Sequence, residues 1–239
     1  MKRKLLAGAA ATAASLMCMG AAQAGVVLLN FEGINSTYPS GFAYINGFYD
    51  GGTSSDGTTG TNYGITFSSN AQAICLNSTT VTCSNTSRGG LGNPTSQKGG
   101  LFFLSGSQTF MDDAAGFTKG FSLEYVSASQ PGSVSVYSGL DGTGTLLASI
   151  ALSPNAGSCP GYSAGFCPFS PVGVNFSGTA QSIAFGGVAN QIVFDDVTFG
   201  SATVGGGAPE PSTWAMMLLG VGGVGVAMRA RRKRALAAA

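Results

Sequence analysis

The chain has 239 residues, 38 of them Gly, with only 9% charged residues and no histidine, which excludes His-based triads, His-ligated zinc and imidazole acid–base catalysis. The formal net charge of +1 hides a segregation: three of the 11 Lys and Arg residues lie at positions 2–4 and five at positions 229–234. Between them Arg88, Lys98 and Lys119 face nine acidic residues from Glu32 to Asp196, a central charge near −6 that argues against nucleic acid as a partner.

Residues 1–24 read as a cleaved signal peptide. Lys2-Arg3-Lys4 is a basic opening, an uncharged stretch follows to about Ala21, and Ala22-Gln23-Ala24 offers the small residues that signal peptidase requires. The partners implied are the Sec translocon and signal peptidase, with cleavage after Ala24. Cys18 leaves with the leader; Met17 before it argues against a lipoprotein.

Residues 25–204 are expected to form one all-β domain, a two-sheet sandwich of jelly-roll type. Short β-prone runs at 26–32, 42–49, 63–68, 101–104, 121–127, 133–137, 145–152, 172–176, 181–185 and 191–199 are separated by clusters of Gly, Ser, Thr, Asn and Asp. Phe121, Leu123 and Tyr125 alternate with Ser122 and Glu124, as in a half-buried strand. Asp141-Gly142 suits the positive φ angles of a hairpin turn. The Gly/Ser/Thr/Asp run 50–60 lacks the carboxylate spacing of an EF-hand and reads as a mobile loop, and Asp112-Asp113 as a turn.

Four cysteines remain after leader removal. Cys75 and Cys83 enclose seven residues, as do Cys159 and Cys167, so local disulfides Cys75–Cys83 and Cys159–Cys167 are favoured among three connectivities in an oxidising compartment. The second loop displays Tyr162 and Phe166, candidate contacts for a sugar ring or else ordinary packing residues.

Asp195-Asp196 interrupts an apolar run in which Ile192 and Phe194 share one parity and Val197 and Phe199 the other. Either the strand is buried on both faces or a bulge shifts its register. Adjacent carboxylates need compensation if buried; a structural calcium ion with Glu32 as co-ligand is one solution, solvent exposure at a strand end the other. No cofactor is otherwise required.

Residues 205–208 read as a Gly-rich linker. Beyond them come Pro209-Glu210-Pro211-Ser212-Thr213-Trp214, an uncharged stretch to Met228, and the basic tail 229–239 with Arg229, Arg231, Arg232, Lys233 and Arg234. A helix over 213–228 would span roughly 24 Å, short for a bilayer core of ~30 Å, with Trp214 at the outer interface and the basic tail held in the cytoplasm.

This arrangement resembles the PEP-CTERM sorting signal of exported proteins in Gram-negative bacteria that make exopolysaccharide. The resemblance implies an exosortase that acts near Pro209-Glu210-Pro211 at the inner membrane. Asn30-Phe31-Glu32-Gly33, the hairpin around Asp141-Gly142 and Phe194-Asp195-Asp196-Val197-Thr198-Phe199-Gly200 also look like pieces recurring in PEP-CTERM cargo domains. The expected protein is therefore exported across the inner membrane, transiently anchored, and structural or adhesive at the cell surface or in an exopolysaccharide or biofilm matrix. A carbohydrate-binding module is the alternative. A glycoside hydrolase, which needs paired carboxylates but no histidine, is a distant third, because no acidic pair here carries a recognisable surrounding motif. No enzymatic activity is expected.

Overall fold

The computed structural model describes residues 25–36, 42–76, 99–157 and 167–206. Its strands are β1 (Val27–Leu29), β2 (Phe42–Tyr44), β3 (Ile65–Phe67), β4 (Gln72–Cys75), β5 (Gly99–Phe102) and β6 (Gln108–Phe117). They continue with β7 (Gly120–Ser127), β8 (Gly132–Tyr137), β9 (Leu146–Leu152), β10 (Ser170–Asn175), β11 (Ala180–Gly186) and β12 (Ile192–Phe199). Two antiparallel sheets form a sandwich that does not close into a barrel. One runs β10-β7-β12-β5-β4-β2 with β1 also paired to β12; the other runs β3-β6-β11-β8-β9.

Alternation along the strands builds the core. Phe121, Leu123 and Tyr125 of β7 and Phe194 of β12 point inward and meet Val134, Val136, Ile183 and Phe185 of the facing sheet. Phe185 bridges the sheets, with ring centroids 5.0 Å from Phe194 and 6.2 Å from Phe121. The opposite parity of the larger sheet is buried as well: Ile74, Phe102, Val126 and Val193 form a second cluster with Leu76 and Phe169. Such a sheet, covered on both faces, tolerates near-continuous apolar runs.

Each expected β-run overlaps a strand, and two further strands appear. β4 is a four-residue piece whose side chains are all buried. β6 contains Asp112-Asp113, expected as a turn; the Asp113 carboxylate accepts the amides of Ala115 and Gly116 at 3.0 Å, a local turn inside the strand. The β8–β9 hairpin has the anticipated geometry, with φ of 52° at Asp141 and 68° at Gly142.

The segment after β12 lies back on the sheet. The Gly200 amide donates to the Gly120 carbonyl (2.9 Å), the Ser122 hydroxyl to the Ser201 carbonyl (3.1 Å), and the Gly205 amide to Thr198 Oγ1 (3.1 Å). Gly205 and Gly206, expected in a linker, are therefore part of this strap. Its close approach requires glycine beneath it: a Cβ on Gly173 would sit 2.0 Å from the Ala202 carbonyl oxygen. Gly173→Ala is expected to cost about 1–2 kcal/mol by displacing the strap, read as a lower denaturation midpoint with faster proteolysis between 200 and 206.

Candidate functional site

β12 changes neighbours halfway along. Phe194 lies opposite Leu101 of β5, whereas Val197, Thr198 and Phe199 pair with β1. β7 accompanies both halves, but Asp195 faces Glu124 and Thr198 faces Ser122, so Asp196 and Val197 oppose Leu123 alone. That is a β-bulge, at the position where the apolar parity changes. Asp196 adopts φ of 46°, a left-handed conformation Asp tolerates better than most residues, and its amide donates to Asp195 Oδ1 at 2.7 Å. Both alternatives posed by the sequence hold together: the strand is bulged, and it is buried on both faces.

Three acids converge on this seam. Asp195 is 0% exposed, Asp196 1% and Glu124 7%. The aspartates do not point to solvent at a strand end. Thr198 Oγ1 donates to the Asp196 carbonyl at 2.9 Å, which holds the bulge closed. Among the described residues Glu124 Oε2 has no hydrogen-bond partner, and burial, with the Asp196 charge second, raises the Glu124 pKa to about 7. Glu32 follows β1 and accepts the amide of Gly99, at the head of β5, at 3.1 Å, tying the first strand to the neighbour that β12 leaves. The calcium reading names Glu32, Asp195 and Asp196 as ligands: the two aspartates lie on the β12 bulge, and Glu32 is hydrogen-bonded to Gly99 at the head of β5. Among the described residues, however, no three Cys, Asp or Glu side chains are placed to share a metal ion. Glu124 is the member the sequence reading missed.

A second carboxylate pair lies in the other sheet. Asp112 Oδ1 accepts the Asp141 amide at 2.7 Å, locking the β8–β9 turn against β6, and burial raises the Asp112 pKa.

Cys75 and Cys167 are fully buried. Cys83, Cys159, Tyr162, Phe166, the leader 1–24 and residues 207–239, with the sorting motif and basic tail, lie outside the described residues. Among the described residues no helix is long and apolar enough to cross a membrane.

The described residues form a β-sandwich domain, and the chain continues beyond it to a carboxy-terminal segment outside the described residues. Residues 208–233 match the family model of the PEP-CTERM protein-sorting motif. This motif implies an exported protein with a membrane-associated sorting signal at its carboxy end and an exosortase as its sorting partner. No curated protein matches the chain.

Proposed function

We propose that the chain is a structural or adhesive protein of the cell surface or extracellular matrix, delivered by exosortase-dependent sorting to act within exopolysaccharide or biofilm. The observation that carries this reading is the PEP-CTERM motif at residues 208–233. In this reading the Sec translocon and signal peptidase handle residues 1–24, and the inner membrane holds residues 213–228 until processing. The sandwich then works without bond-making chemistry. Disulfides Cys75–Cys83 and Cys159–Cys167 would staple two loops of a domain that must persist outside the cell, each contributing roughly 2 kcal/mol.

The test is fractionation of cells that make exopolysaccharide. The processed protein is expected in the matrix fraction and to be released when the polysaccharide is digested. Recovery wholly as a free soluble protein in the medium, with or without digestion, would contradict the matrix role.

A further inference from the structure

The run 50–60 is not the mobile loop its composition suggests. Ser54 and Thr58 hydroxyls both donate to the Ile34 carbonyl, at 3.0 and 2.8 Å, and the Ser36 amide donates to Asp56 Oδ2 at 3.0 Å. The Gly60 amide donates to the Phe48 carbonyl at 3.2 Å, and the Tyr63 amide to the Tyr49 carbonyl at 2.8 Å. Gly60 lies so close to the Phe48 ring that a Cβ would come within 2.3 Å of it. The loop is built, and between it and the end of β1 it walls a cleft of about 350 Å³, within the size range of small-ligand sites.

Aromatic and polar groups meet in this cleft. Tyr63 is 41% exposed, and its ring is backed by buried Tyr49 with centroids 6.2 Å apart. Tyr49 is itself fixed: its hydroxyl oxygen accepts the Phe31 amide at 3.0 Å, and its ring meets Phe48 edge-on at 4.9 Å. Phe31 carries φ of 53°, a conformation rare for a bulky residue, and the residues either side of it, Asn30 and Glu32, both line the cleft. Thr59 and Thr61 complete the polar wall. The described lining residues include a carboxylate and neither lysine nor arginine, which disfavours an acidic ligand.

We propose that this cleft binds a neutral glycan, with Tyr63 stacking on a sugar face while Asn30, Glu32, Thr59 and Thr61 hydrogen-bond its hydroxyls. The inference rests on the matrix reading and gives that role a defined point of attachment, separate from Tyr162 and Phe166. An exposed ring on a rigid backing, ringed by amide, carboxylate and hydroxyl groups, matches a pyranose, which presents apolar C–H faces and a polar rim.

Affinity electrophoresis of the exported protein in gels containing hydroxyethyl cellulose, dextran or galactomannan, with alginate as the acidic comparison, tests this. At least one neutral polymer is expected to retard the protein. Tyr63→Ala should weaken that binding by about tenfold, Tyr63→Phe should preserve it, and a Tyr162→Ala/Phe166→Ala variant should bind normally. Retardation by none of the neutral polymers, or by alginate alone, would overturn the proposal. So would binding that survives Tyr63→Ala or disappears with the Tyr162/Phe166 variant, even with the protein still in the matrix fraction. Loss from the matrix with neutral-glycan binding intact would instead count against the matrix role while supporting the cleft.

Discussion

Glu124→Gln is expected to stabilise the domain by about 1–3 kcal/mol at pH 8 and to flatten its stability profile between pH 5 and 8. Glu124 faces Asp195 across the β7–β12 pair, nine-tenths buried, with its pKa raised from 4.5 to about 7 by burial first and the Asp196 charge second. Between those two values the folded protein holds a proton that the unfolded chain has released. Stability from this group is therefore fully present below about pH 4.5, falls as pH rises, and is lost above about pH 7. The amide of Gln carries no charge to desolvate and replaces repulsion of Asp196 with a neutral donor. Thermal melts of the two proteins should coincide near pH 4.5 and separate as pH rises through 7. Equal stability at pH 8, or a less stable variant, would contradict this account of the seam.

Removing residues 229–239 is expected to abolish normal sorting. The segment takes with it Arg229, Arg231, Arg232, Lys233 and Arg234, charges that by the positive-inside rule would stay cytoplasmic, and it truncates the PEP-CTERM match. Residues 213–228 would still be uncharged but carry four glycines, and 16 residues, if helical, would reach only about 24 Å, short of a bilayer core. Immunoblots should show an unprocessed chain displaced from the membrane. Replacement of the five basic residues by Gln should act in the same direction, separating charge from length. Unchanged processing in both would contradict a role for the tail.

Legibility followed the strength of the local signal. The sorting segment was readable because a Pro-Glu-Pro sequence, an uncharged run and an arginine cluster are each distinctive and lie together in the chain. Strands β7 and β12 declared themselves by alternation and apolar content, and the parity change at Asp195-Asp196 posed burial on both faces and a bulge as alternatives, both of which are present. β6 was hidden because Asp112, Asp113, Ala114, Ala115 and Gly116 are poor strand formers alone; pairing with β3 and β11 supplies what propensity lacks. Glu124 was hidden for a different reason. In an alternating run it reads as the solvent-facing residue, yet Val126 and Val193 share its face and belong to a second buried cluster. Those two valines were the available sign that both faces are covered. The 50–60 loop misled through composition: its order comes from hydroxyl-to-carbonyl bonds to Ile34, a partner distant in sequence that no periodicity marks.

The central claim is that this sandwich is exported cargo of a carboxy-terminal sorting system. Intact-mass measurement of the protein recovered beyond the inner membrane, before and after thiol reduction, tests it most directly. The account predicts a chain that begins at Gly25, ends near Pro209-Glu210-Pro211 and gains four hydrogens on reduction. A full 239-residue chain confined to the cytosol would contradict it.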